Sequence, residues 1–219
     1  MKKAKLTFLM LLVAAAWCVQ VKAQRVLSNE DLAKYPQKTN LPTVYLEVYE
    51  TTYPVDEVTG KPVATTTLDD NGLPVLEELN TVFGTKTSTY YNAQIIIRDD
   101  YNTIEERKEP TTVRGRGNAT WDISANSDGL LKKPLRLKFP QKTALLGPDY
   151  ATEKSWTLLA NHYDATLIRN AMANVIGNKV GLAFCPAYKF VDLIVNGTYM
   201  GTYQISDQVQ VAEKRVPIN

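Results

Sequence analysis

Asn196-Gly197 stands between two runs rich in β-branched, aromatic and other apolar residues, Lys189–Val195 and Thr198–Gln204. Few short signals constrain a fold as tightly. The two central positions of a type I′ turn need positive φ, which Asn and Gly tolerate, so the pair predicts an antiparallel hairpin. Side chains alternate across a strand, and register then decides which of them share a face. Pairing outward from the turn sets Asp192 opposite Gly201, on a face with Phe190, Ile194, Tyr199 and Tyr203. An acid among aromatics, with a glycine opening space beside it, suits a ligand. The favoured reading is plainer: Asp192 accepts a bond from a tyrosine or a backbone group.

The same period-two logic predicts strands over Leu41–Glu50 and Tyr90–Arg98, the end of one at Thr111–Arg114, and further strands at Leu135–Phe139 and Trp156–Ala160. In Leu135–Phe139, Leu135, Leu137 and Phe139 fall on one side, Arg136 and Lys138 on the other. One helix is expected, from Ala165 to Val180, with Asp164 as its cap and Gly181 as its stop. Ile168, Ala171, Met172, Val175, Ile176 and Val180 form its apolar stripe, while Arg169, Asn170 and Asn174 lie off it. The expected class is α+β, a mainly antiparallel sheet with one packed helix. Residues 51–87, rich in Thr, Pro, Gly and Asp, read as a surface excursion that could carry specificity.

Residues 1–23 have the build of an export signal: Lys2, Lys3 and Lys5, an apolar core from Leu6 to Val19, and Val21-Lys22-Ala23 before Gln24. The apolar run is short for a membrane span, so no stable span is expected after cleavage. Export predicts a periplasmic, cell-surface or secreted location. The formal charge of the whole chain is +2, and residues 1–23 hold four lysines and no acid, which leaves the remainder at −2. Bulk charge therefore gives no reason to expect nucleic acid as a partner; any affinity for phosphate has to be local. Cys185 is the only cysteine after residue 23, and His162 the only histidine. Internal disulfides, multi-cysteine zinc sites and histidine triads are excluded for that part of the chain. Residues 24–40 read as a polar leader.

Arg114-Gly115-Arg116-Gly117-Asn118-Ala119-Thr120-Trp121, followed by Lys132-Lys133-Pro134-Leu135-Arg136-Leu137-Lys138, is the chemically loaded stretch. Glycines let a backbone approach a ligand, and oriented N–H groups with nearby cations favour bound negative charge. The plainer alternative is a solvated strand edge guarded by lysines. A phosphate-loop NTPase is excluded, because no Gly-Lys-Ser/Thr follows the glycines.

These blocks, with Leu41-Pro42-Thr43-Val44-Tyr45, Leu145-Leu146-Gly147, Trp156 to Asn161, Leu167-Ile168-Arg169-Asn170, Phe190 to Gly197 and Gly201-Thr202-Tyr203, resemble the CotH kinase family in their order and spacing. The resemblance runs from about Leu41 to Gln210 and implies the N-terminal lobe of an atypical kinase-like fold over residues 41–219. It implies ATP with a divalent metal, Mg or Mn, as cofactor. It implies nucleotide contacts from Arg114, Gly115, Arg116, Gly117, Asn118, Lys132, Lys133, Arg136 and Lys138. Supporting roles fall to Trp121, Arg169, Asn170, Asp192 and Asp207, the last standing where the family has the Glu of a Glu-Gln pair. The family's catalytic and metal-holding aspartates belong to a C-terminal portion, so no catalytic residue and no metal ligand is expected within this chain. The function implied is the ATP-binding part of an exported kinase acting on hydroxyl groups of secreted or surface proteins. The alternative is a non-catalytic exported binding module that keeps the fold. A lower-ranked reading is a carbohydrate binder using Trp121, Tyr199 and Tyr203.

Overall fold

A computed structural model describes residues 27–101, 103–122 and 132–218. The expected signal segment, residues 1–23, lies outside them. Nine strands and four short helices are assigned among the described residues. The strands are β1 (Thr43–Val48), β2 (Thr51–Thr52), β3 (Thr65–Thr66), β4 (Thr89–Arg98), β5 (Arg107–Gly115), β6 (Leu135–Thr143), β7 (Glu153–Leu159), β8 (Tyr188–Val195) and β9 (Thr198–Asp207). The helices are α1 (Asn29–Lys34), α2 (Leu79–Val82), α3 (Ala119–Asp122) and α4 (Arg169–Lys179).

Seven strands close into a barrel in the order β1-β4-β5-β6-β7-β9-β8, and a parallel pairing of β8 with β1 completes the ring. This corrects the expected α+β sheet with one packed helix. The alternation seen in sequence supplies the interior. Val44 faces Ile97 and Leu193, Val113 faces Leu137, Leu137 faces Trp156, and Leu158 faces Ile205. All of them are buried in one core. Closure leaves no sheet edge, so the basic run on β6 does not guard an edge. Full burial of each Val, Leu or Ile here contributes roughly 1.5–3 kcal/mol.

Ser28 caps α1 in a reciprocal capping box with Asp31. Leu27 and Tyr35 then cover Tyr45, Ile96 and Ile194 on the outer face of the β4–β1–β8 seam. Lys108 Nζ meets Asp31 Oδ1 at 2.6 Å and Tyr35 Oη donates to Glu47 at 2.6 Å. Residues 27–35 of the segment read as a polar leader are thus a strap across the seam.

The Asn196-Gly197 turn forms with positive φ at both residues, 46° and 80°. Asn196 also donates to the carbonyls of Val48 and Glu77. The register beyond the turn differs from expectation. A bulge admits Met200 as an extra residue, so Gly201 pairs with Leu193 and Asp192 pairs with Thr202. Gly201 takes φ +88° there. The slip sends Tyr203 into the barrel, opposite Val191, and leaves Tyr199 outside with Asp192.

The helix is the second difference. It begins at Arg169 rather than Ala165, because Leu167 adopts φ +61° and interrupts helical geometry. Asp164 still serves the start: Oδ1 accepts from Thr166 and Oδ2 from the Arg169 N–H at 2.7 Å. At the other end, Gly181 (φ +78°) closes a Schellman motif, with Leu182 N bonded to Gly177 O and Gly181 N to Asn178 O. The apolar stripe faces outward: Ile168, Met172, Val175, Ile176 and Val180 are all exposed, and only Ala171 and Gly177 are buried. Gly177 admits the Cys185 sulfur, which would lie 2.5 Å from a Cβ at that position.

Candidate functional site

Strand alternation gathers the cations on one surface. With Val113, Leu135 and Leu137 turned inward, Arg114, Arg136 and Lys138 project from the outer face of β5 and β6. Arg114 and Arg136 are direct cross-strand partners, and Lys138 pairs with Thr112. Lys154 joins them across a groove of about 600 Å3. Beyond the end of β5, Arg116 continues the outward series, its N–H bonded to Pro134 O. None of these five cations has a carboxylate partner among the described residues. Like charges held this close raise the free energy of the empty face, and an anion relieves it. Burial, then the proximity of Arg136, lowers the pKa of Arg116 below its ordinary value.

A second cleft, of about 340 Å3, has Arg116 in its lining, close enough to Arg136 of the groove to feel its charge. Arg116, Thr120 and Pro134 form one wall; Asn161, His162 and Tyr163 follow β7; Arg169 and Asn170 open α4 on the other side. Of the residues expected to act, Arg116, Arg169 and Asn170 therefore meet in one cleft, and Arg114, Arg136 and Lys138 share the groove on β5 and β6.

The remaining expected residues have other surroundings. Lys133 is buried, donates to Phe83 O at 3.0 Å and lies 4.8 Å from the Trp121 ring centroid. Lys132 is half-buried, 5.6 Å from the Tyr203 ring centroid, and burial lowers its pKa. The two glycines answer to packing. A Cβ on Gly115 would lie 2.6 Å from two carbons of the Trp121 ring, and Gly117 has φ +90°. Asn118 O accepts from Trp121 N in the turn that follows. Trp121 itself is a core residue.

Asp192 is buried and accepts from Thr39 Oγ1 (2.7 Å), Tyr199 Oη (3.0 Å) and Thr202 Oγ1 (3.3 Å). That is the plainer role, an acid tying Thr39, just ahead of β1, to the hairpin. Asp207 is buried against Arg215, Oδ1 to Nε 2.9 Å, and also accepts from Ala187 N. Burial raises the Asp207 carboxyl above its ordinary value against the pull of Arg215. Trp121 and Tyr203 are enclosed, so of the three aromatics considered for sugar binding only Tyr199 is exposed.

Residues 113–218 match the family described as CotH kinase protein. This segment belongs to the CotH kinase family. The CotH segment starts one residue before Arg114 and takes in the five cations, the second cleft, α4, the β8–β9 hairpin and the Asp207–Arg215 pair, while Thr89 and Thr112 of the groove precede it. No curated protein matches the chain. A kinase-related function follows from membership.

Sequence reasoning missed Lys154, Asn161, Tyr163, Gln204 and Arg215 as participants. Lys154 lay outside a strand expected to start at Trp156. Arg215 stands in a terminal stretch without periodicity, and only a buried acid within reach reveals its role.

Proposed function

We propose that the CotH segment binds the polyphosphate of ATP on its cationic outer face, as the nucleotide-binding part of an exported protein kinase. Its acceptors are hydroxyl side chains of secreted or surface proteins. One observation carries the reading: the family segment holds five outward cations, Arg114, Arg116, Arg136, Lys138 and Lys154, with no carboxylate partner among the described residues. A chain of three linked phosphates complements that donor set, because guanidinium forks pair with phosphate oxygens and lysine supplies point charge. Arg116 lines the cleft and lies near Arg136 of the groove, which brings its charge to bear on the same phosphate chain. Arg169 and Asn170 supply donors from the start of α4.

Phosphoryl transfer draws on a divalent metal to bridge phosphate oxygens and on a group that orients the acceptor. Among the described residues no three His, Cys, Asp or Glu side chains gather around a common point. The fit is therefore to the phosphates, and neither metal ligand nor catalytic base is assigned to a residue. No helix among the described residues is long and apolar enough to cross a membrane.

Calorimetric titration of the chain with Mg·ATP tests the reading. Arg136→Ala and Arg116→Ala each weaken binding about tenfold, the loss of one charge-assisted contact. Unchanged affinity in both variants refutes it. A second reading, a binding module without catalysis, draws on the arm from Thr51 to Leu76. There Tyr53, Val55, Val58, Leu68 and Leu73 are exposed and no acid of the arm forms an ion pair among the described residues. Partner binding that survives both arginine replacements and fails on replacing Tyr53 and Leu73 selects it.

A further inference from the structure

The loop from β7 to α4 holds two non-glycine residues in the left-handed region, Asn161 at φ 50° and Leu167 at φ 61°. Asn accepts that conformation readily; a leucine does so only when its surroundings hold it there. The holding group is the Asn161 side chain. Its Nδ2 donates to Leu167 O at 3.1 Å and to Gln204 Oε1 at 3.0 Å, and its Oδ1 accepts from Asn170 Nδ2 at 2.8 Å. One amide thus joins the end of β7, the outer face of β9 and the first turn of α4. Little else does so, since Ala171 and Gly177 are the only buried residues of the helix.

Gln204 adds a second observation. It is fully buried, its Oε1 is fixed by the Asn161 donor, and its Nε2 has no acceptor. A buried amine left without a partner is uncommon and asks for an explanation. Turning the Asn161 and Gln204 amides over together supplies one, since each then presents the opposite group to the other. Oδ1 would then accept from Gln204 Nε2, and the bonds to Leu167 and Asn170 would be given up.

We propose that Asn161 is a positioning residue of the cleft: it holds the start of α4, and with it Arg169 and Asn170, over the Arg116 wall, and its turned arrangement on Gln204 lets the helix start go. The inference rests on the nucleotide reading for its effect on affinity, but not for its effect on the helix. The cleft then has a held form, with cations on both walls, and a released form with one. An anion that binds between Arg116 and Arg169 favours the held form, because only there do both walls reach it.

The test uses the whole chain and amide exchange at Arg169 and Met172, whose N–H groups bond Asp164 Oδ2 (2.7 Å) and Ile168 O (2.8 Å). Asn161→Gly keeps the left-handed backbone and removes the amide. Exchange at both positions is expected to rise about tenfold, while exchange in β8 and β9 stays as it was. Mg·ATP binding is expected to weaken by about tenfold as well. Asn161→Asp keeps an acceptor for Asn170, and its second oxygen accepts from Gln204 Nε2 once the Gln204 amide turns over, so it is expected to restore slow exchange at Met172. Unaltered exchange at Arg169 and Met172 in Asn161→Gly overturns the proposal. Should Asn161→Gly unfold, Asn170→Ala removes only the bond to the helix and decides by the same readout. If the parent chain binds no ATP, the nucleotide reading falls, and exchange alone still decides whether Asn161 positions α4.

Discussion

Replacing Gly115 by alanine separates two reasons for a glycine beside a cationic cleft. If the residue is there to let a ligand approach, the variant folds normally and loses nucleotide affinity. The structure gives a different expectation. A Cβ at Gly115 meets two Trp121 ring carbons at 2.6 Å and the Lys86 Cα at 2.8 Å. Restoring ordinary contact at 3.4 Å asks the ring to retreat by about 0.8 Å and the Lys86 backbone by about 0.6 Å. Neither yields easily. Trp121 is buried in the main core, with Lys133 Nζ over its ring, and Lys133 is in turn bonded to Phe83 O at the end of α2. Overpacking of this kind costs about 1–3 kcal/mol, and with ring and backbone both obstructing, about 3 kcal/mol is expected. For a chain of this size that lowers Tm by about 6–12 °C. Trp121→Phe removes the distal ring atoms that clash, so the double variant should be about 1–2 kcal/mol more stable than the sum of the single changes. Urea denaturation followed by circular dichroism measures all four corners of the cycle. Strict additivity, or a fully stable Gly115→Ala that has lost only ATP affinity, refutes the packing argument.

Three further outcomes follow from named contacts. Arg215→Met strands a buried Asp207 carboxylate and should cost about 3–5 kcal/mol in urea denaturation, whereas Arg215→Met combined with Asp207→Asn should recover most of that loss, since both charges and the two unpartnered Arg215 nitrogens leave together and the amide oxygen still accepts from Ala187 N. Met172→Ser and Ile176→Ser on the outward stripe of α4 should change stability by no more than about 0.5 kcal/mol; a loss of several times that would mean the stripe is buried after all. Lys108, bonded to Asp31 Oδ1, and then Ser28 hold the Asp31 carboxyl down to about 2, below its ordinary 3.8. A depressed carboxylate stabilises the fold above its ordinary value and loses that contribution as pH falls toward the folded one. The stability gap between the parent chain and Asp31→Asn should therefore be present at neutral pH and close as pH drops from about 4 to about 2.

Strand positions were legible because alternation and the Asn-Gly turn are local signals. Seven runs expected as strands, or parts of strands, all lie within barrel strands or overlap them. Barrel closure was not legible, because it depends on the parallel pairing of Thr43–Leu46 with Asp192–Val195, residues distant in sequence whose alternation suits an open sheet equally well. The bulge at Met200 was equally hidden. A one-residue slip moves every side chain beyond it to the opposite face, and so Tyr203 left the company of Asp192 for the core. For the basic stretch, residue type identified the chemistry and strand register sorted it: Lys132 and Lys133 precede β6 and turn toward Tyr203 and Trp121, while Arg136 and Lys138 on β6 face outward.

The helix carries the sharpest lesson about what a periodic stripe means. Ile168, Met172, Val175, Ile176 and Val180 recur at helical spacing, and such a stripe normally marks the face turned to a core. Here the barrel has already enclosed its own core, and the helix rests on it through small residues, Ala171 and Gly177, with Asn174 bonded to Pro186 O. A helix held by so little burial owes its place to polar contacts at its first turn, which are Asp164 to Arg169 N and Asn161 to Asn170. Apolar contact is non-directional and would tolerate small slides of the helix, whereas these bonds fix its start to within the length of a hydrogen bond. The residues they fix, Arg169 and Asn170, are the ones that line the cleft opposite Arg116. Polar anchoring at one end and thin packing along the rest make α4 the element whose position a bound anion can most readily change, and its start is where a change in the cleft registers first.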